Sequence, residues 1–128
     1  MTSKDDMSGE KFYEDVRRIL ENLVADSSED VVVLVEGMRD EEALRMIGLR
    51  GKIIHVSKVE KTLMYMPKPR KIILLLDFDE EGINGVKKMS RLLTIRGYRV
   101  DTTYHRKLRM LKRVGITTVE GIKKLFQT

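Results

Sequence analysis

The chain has 128 residues, 41% of them hydrophobic and 35% charged, with a net charge of +5; that length suits one domain with its own core. It has no cysteine and only two histidines, His55 and His105, which excludes disulfides and Cys- or His-built metal sites and leaves oxygen-ligated Mg²⁺, Mn²⁺ or Ca²⁺ as the available metal chemistry. The first ten residues are polar and no apolar run exceeds five residues, so the expectation is a cytoplasmic protein with no signal peptide, membrane span or membrane partner.

In chain order, residues 10–25 place Phe12, Val16, Ile19, Leu20, Leu23 and Val24 at helical spacing, with Ser8 as the expected N-cap. "VVVLV" at 31–35 is β-branched and unbroken, the pattern of a strand buried on both faces. Acids crowd the start of a helix at 40–47, and Gly48 stands at its C′ position. "KIIHV" at 52–56 predicts a second strand, and "SKVE" at 57–60 has capping-box spacing for a short helix that Pro67 and Pro69 end. "KIILLL" at 71–76 predicts the third strand, followed by a helix from about Gly82 to Arg96 that stops at Gly97. Residues 98–104 alternate as an edge strand does. Residues 105–114 predict a basic helix closed by Gly115, and "TTVE" at 117–120 opens a last helix through Phe126.

Strands alternating with helices predict an α/β fold around a parallel sheet of about four strands, with helices on both faces. Residues 1–29 are expected to be an N-terminal helix packing on a domain that spans 30–128 and ends in basic helices. In such sheets the working site lies at the carboxyl ends of the strands, where the strand order reverses. Two acidic features sit at predicted strand ends: Glu36-Gly37 after the first strand, and "DFDEEG" at 77–82 after the third. Asp77 and Asp79 are two apart and point the same way in extended backbone. Gly37 and Gly82 permit tight turns or close backbone approach. Two or three carboxylates suit Mg²⁺, and the cation would relieve their mutual repulsion. Asp40 reads as a helix-start cap before it reads as a ligand, and Glu80 and Glu81 read as ordinary first-turn acids. Neither GxGxxG nor a P-loop motif occurs.

The charge is uneven. Residues 96–128 hold nine Lys or Arg against two acids, whereas residues 1–95 hold sixteen against eighteen. That basic quarter is read equally well as a polyanion-binding surface or as solvated helix faces.

The segments "VVVLVEGMRDEEAL" and "IILLLDFDEEG" resemble the two signature segments of the Toprim domain, found in bacterial-type primases, topoisomerases, recombination-mediator proteins, some nucleases and small ribosomal-RNA maturases. The resemblance covers roughly residues 30–115 and is greatest to the short stand-alone Toprim proteins. It implies a three-layer α/β/α, Rossmann-like Toprim fold. It implies Glu36 as general acid or base or as a ligand, Asp77 and Asp79 as ligands of Mg²⁺ (or Mn²⁺), and Gly37, Asp40 and Gly82 as residues that shape the motifs. Two departures count against topoisomerase chemistry: Glu80 stands where an Arg is usual, and Ile83 where an acid is usual. A topoisomerase also needs a nucleophilic tyrosine on a separate domain, whereas Tyr13, Tyr65, Tyr98 and Tyr104 are read as packing or surface residues.

The implied function is Mg²⁺-dependent phosphoryl transfer on nucleic acid, foremost phosphodiester cleavage or RNA processing. RNA is favoured over DNA because similar stand-alone maturases act on RNA. His105, Arg106, Lys107, Arg109, Lys112 and Arg113, with Lys123 and Lys124, are the expected backbone-gripping residues. The alternatives are a non-catalytic Toprim module that binds nucleic acid or a protein partner, and a primase-like nucleotidyl transferase, which would normally bring further domains.

Overall fold

In a computed structural model that describes residues 4–126, Val31–Val35 forms strand β1, buried along its whole length. Strands Lys52–His55 (β2), Lys71–Leu74 (β3) and Val100–Asp101 (β4) complete an all-parallel sheet in the order β2-β1-β3-β4. Val33 pairs with Ile53 on one side and Ile73 on the other. The helices are Lys4–Asp26 (α1), Met38–Met46 (α2), Val59–Met64 (α3), Glu80–Ile95 (α4) and Thr103–Leu108 (α5).

The two-residue period of β1 feeds two cores. Val31, Val33 and Val35 pack with Val16, Leu20 and Leu23 of α1, Leu44 of α2 and Leu108 of α5. Val32 and Leu34 pack with Val59 and Leu63 of α3 and Val86, Met89 and Leu93 of α4. Each such side chain, fully buried, is worth about 1.5–3 kcal/mol. The result is a three-layer α/β/α, Rossmann-like fold. Among the described residues no helix is long and apolar enough to cross a membrane.

The element ends depart from expectation for local reasons. Ser8 lies inside α1 rather than at its cap, because the helix starts at Lys4. The Ser57 capping box does not form: Val56–Lys58 winds as a 3₁₀ turn and α3 begins without a side-chain cap. The edge strand shrinks to two residues, since Asp101 Oδ1 accepts the Thr103 N–H at 2.9 Å and turns the chain into α5. The basic helix at 105–114 divides, Arg109–Val114 being 3₁₀, and the last helix is also 3₁₀ over Glu120–Leu125. Both tightenings follow the buried positions. His105, Leu108 and Leu111, and likewise Val119 and Ile122, recur every third residue, the period at which 3₁₀ side chains align. Gly48, Gly97 and Gly115 do end their helices at positive φ, 104°, 91° and 79°.

At the opposite end of the sheet from the strands' carboxyl termini, Lys71 joins three elements. Its Nζ bonds Asp26 at the end of α1 at 2.5 Å and Asp101 of β4 at 2.8 Å, while the Tyr104 hydroxyl donates to Asp26 at 2.9 Å. Burial alone would lower the ammonium's proton affinity, but the two carboxylates outweigh it and raise it above the ordinary lysine value. Burial acts the other way on Asp26 and Asp101, and their bonds to Lys71 more than offset it, holding both below the usual carboxylate range. Lys71→Met leaves Asp101 without a cation and Asp26 with only the exposed Arg70, 3.6 Å away, and is expected to lower stability by about 3 kcal/mol at neutral pH in urea titrations. Because the two aspartate values are depressed, the wild-type advantage exists above about pH 4 and shrinks as pH falls through them. A variant within about 1 kcal/mol of wild type would remove this network from the fold's energetics.

Candidate functional site

From β1 the chain steps outward to β2, then returns across β1 to reach β3. The strand order therefore reverses between β1 and β3, and the crevice above that pair is the switch point. Glu36 directly follows β1. Leu75 and Leu76 extend the third strand past Leu74, with the Leu75 N–H donating to Leu34 O at 2.8 Å, so that Asp77 reaches the same rim.

Phe78 is fully buried between Asp77 and Asp79, which are both partly exposed. That alternation turns the two carboxylates to the rim and the ring to the core. Asp79 is the N-cap of α4, its Oδ1 accepting the Gly82 N–H at 2.7 Å. Asp77 Oδ1 accepts the Val119 N–H at 3.1 Å. In each aspartate the other oxygen lies outside these bonds.

Gly82 is fixed by space. A Cβ there would lie 1.9 Å from the Asp77 carbonyl oxygen, because the first turn of α4 sits against the strand end it follows. Gly37 differs, and its expected turn-shaping role is corrected: its φ of −163° is ordinary extended backbone, and nothing lies within 4 Å of a Cβ built on it. Asp40 shapes the rim instead. It is 8% exposed, and its oxygens accept the Gly37 N–H at 3.2 Å and the Glu120 N–H at 3.1 Å. One carboxylate thus closes the start of α2 and ties it to the C-terminal segment.

The rim holds more negative charge than the two motifs supply. Partial burial raises the proton affinity of Glu36, and the charges of Asp77, Asp40, Asp79 and Glu81 raise it further. Burial also raises Asp77; the Val119 bond opposes this, and Asp40, Asp79 and Glu120 add to it. Glu80 and Glu81 are exposed first-turn acids of α4. Glu120 is the acid that sequence reasoning missed. Its only signal was to be one of two acids in the basic C-terminal quarter; nothing local placed it across from Asp77.

Since its folded-state pKa is raised, ionised Glu36 destabilises the fold, and that penalty vanishes as pH falls below the ordinary glutamate range. Discounted for its exposure, the effect is about 0.5 kcal/mol. Glu36→Gln is therefore expected to raise Tm by about 2 °C at pH 7 in EDTA and to leave it unchanged near pH ~3.5 in thermal melts. No gain at pH 7 would mean that the carboxylates do not repel one another.

No three His, Asp or Glu side chains among the described residues stand close enough to form a ready-made cage for a metal ion. The donor set suits a hard, hydrated cation held by one or two carboxylates, with water or phosphate oxygens completing its shell. Burial first, and then neighbouring negative charge, raises the proton affinities of Glu36 and Asp77, and a cation would relieve the second of these.

The expected basic grip does not act as one surface. His105 is fully buried, its Nε2 bonded to the Asp77 carbonyl oxygen at 2.9 Å, so a phosphate-contacting role is corrected to support of the Asp77 backbone. Burial, reinforced by the nearby Arg109 charge, lowers its proton affinity despite the Asp77 bond. Lys107 faces α1, beside Asn22. Arg106 and Arg109 face α4. Lys112 and Arg113 are exposed on the following 3₁₀ turn. Lys124 is exposed too, whereas Lys123 lies 3.9 Å from Glu42. His55 bonds Glu41 at 2.7 Å.

Fold and rim together define a parallel α/β domain with an acidic switch-point crevice. No family model matches the chain. It is similar to the UPF0292 proteins of Pyrococcus abyssi (31% identical, covering 76% of this chain and 75% of that one), Thermococcus gammatolerans (31%, 90% and 86%) and Thermococcus sibiricus (35%, 74% and 77%). A solved structure of an Aquifex aeolicus protein superimposes with a TM-score of 0.66 at 30% identity, covering 81% of this chain and 94% of that one. The chain belongs to the UPF0292 family.

Proposed function

We propose that this protein is a Toprim-type, Mg²⁺-dependent phosphoryl-transfer enzyme that cleaves phosphodiester bonds in nucleic acid, RNA ahead of DNA. The observation that carries the reading is the placement of Glu36, Asp77 and Asp79 at the switch-point crevice, where burial and then the neighbouring carboxylates raise the proton affinity of Glu36. Asp77 and Asp79 would hold Mg²⁺ or Mn²⁺ through the oxygens not bonded to Val119 and Gly82. Bound there, the ion would polarise a phosphate and stabilise charge developing on oxygen. Glu36 is exposed and holds a proton more tightly than an ordinary glutamate, which suits it to exchange one with a reacting oxygen. Asp40, His105 and the Val119 N–H keep the crevice's backbone and Asp77 in place. The test is incubation with structured RNA and with single- and double-stranded DNA in Mg²⁺ or Mn²⁺. The reading fails if nothing is cut, or if cutting survives Glu36→Ala and Asp77→Ala.

One observation favours a second reading, a non-catalytic Toprim scaffold that binds nucleic acid or a protein partner: the carboxylates do not form a preassembled metal cage. Binding without turnover, unchanged when the carboxylates are removed, is its signature.

A further inference from the structure

The acidic rim has a counterpart of opposite sign. Between α4 and the start of α5, beside edge strand β4, runs a groove of roughly 490 Å³. Lys87 and Arg91 line it from α4, and Arg106 and Arg109 from α5 and the turn after it. Among the described residues no acidic side chain lines it, and none of the four cations takes part in an ion pair. Arg109 Nε is buried with no hydrogen-bond partner. Four like charges converging on a concave surface disfavour one another unless an anion joins them. The Ser90, Thr94 and Thr102 side chains add hydroxyl groups to the lining.

Position says which anion. Helix α4 starts at the rim, where Asp79 caps it. At 1.5 Å per residue, Lys87 is roughly 12 Å and Arg91 roughly 18 Å along the helix from Asp79. At the groove's other wall, Arg109 lies close to His105, which bonds the Asp77 carbonyl oxygen. Lys87 and Arg91 are therefore about 6 Å apart along α4, close to the spacing of successive phosphates, and both stand back from the carboxylates. The lining carries no aromatic ring, so bases have no stacking platform and the contact reads charge rather than sequence.

We propose that the α4/α5 groove carries the phosphodiester backbone of a single nucleic-acid strand, positioning it relative to the acidic rim. The direction of the strand rests on the phosphoryl-transfer reading; the binding itself does not. The test is fluorescence anisotropy with a labelled twenty-nucleotide RNA, and with DNA of the same sequence, across a salt series in EDTA, where metal chemistry is silent. Lys87→Ala/Arg91→Ala is expected to weaken binding about tenfold and to flatten the salt slope by about 1.4, two single-strand phosphate contacts. Lys11→Ala/Arg17→Ala, a loss of two exposed cations of α1 on the sheet's other face, is the control, expected to change affinity less than about twofold.

Wild-type protein that binds neither strand overturns the proposal. So does a groove variant that binds like wild type, or a control that loses as much as the groove variant. Competition by inorganic phosphate or a nucleoside monophosphate at concentrations comparable to the oligonucleotide overturns it in favour of a small-anion site. Groove-dependent binding with no cleavage in Mg²⁺ would leave this proposal standing and sink the nuclease reading. Cleavage with no groove dependence would do the reverse.

Discussion

Asp77→Asn is expected to reduce the proposed metal-dependent phosphodiester cleavage by about 10²–10³-fold, the scale on which a group stabilising developing charge contributes. The amide keeps an oxygen able to accept the Val119 N–H, the one hydrogen bond the Asp77 side chain makes to the C-terminal segment. Fold and stability should therefore survive, and circular dichroism with a melt in EDTA checks this. The loss should come from the charge alone: an amide has the same shape and one acceptor fewer, and it binds a hard cation weakly. In metal-free buffer the variant should be slightly more stable than wild type at pH 7, because burial and the Asp40, Asp79 and Glu120 charges all disfavour ionised Asp77. Single-turnover cleavage at saturating Mg²⁺ is the deciding measurement. Activity within about threefold of wild type would remove Asp77 from the chemistry.

Gly82→Ala is expected to be the most destabilising single change at the rim, about 3–5 kcal/mol, or to leave no folded protein. The added Cβ would lie 1.9 Å from the Asp77 carbonyl oxygen and 2.5 Å from its carbon. These are backbone atoms, so no rotamer change relieves the clash. Moving that carbonyl also strains its bond from His105 Nε2, which is buried and has no water to replace it. Displacing the first turn of α4 shifts the Asp79 cap with it. Gly37→Ala is the matched control, expected within about 0.5 kcal/mol of wild type, since its backbone is extended and the space around its Cβ position is open. Urea midpoints for the pair are the measurement. Equal midpoints would mean that α4 does not press on the third strand's end as described.

Much of the rim was legible because its cause is local. An unbroken β-branched run fits a strand covered on both faces, which makes Val31–Val35 central and leaves Glu36 at an end. The third strand's apolar run stops where the acids start, so Asp77 and Asp79 had to emerge at a strand terminus. Helix stops at Gly48, Gly97 and Gly115 were equally local, because only glycine takes positive φ without strain. The parallel sheet with helices on both faces followed from alternating periodicity, and the structure has it.

What the chain could not reveal by itself was which distant segments meet. That β1 and β3 are neighbours is decided by how the crossovers pack, and only this brings Glu36 to Asp77. Residues 117–120 carry no acidic motif, yet their backbone supplies N–H groups to Asp77 and Asp40 and an acceptor, Thr117 O, to the Phe78 N–H. Gly37 and Gly82 read alike in sequence, and only the closeness of α4 to the Asp77 carbonyl separates them. The basic segment read as one surface, but burial at every third position wound it tighter, drew His105 into the core and sent its cations to different neighbours. Local pattern thus determined the buried strands, the helix ends at glycine and the carboxylates at each strand end. Tertiary packing alone decided which charges converge, because Coulombic interaction depends on distance through space and not on separation along the chain.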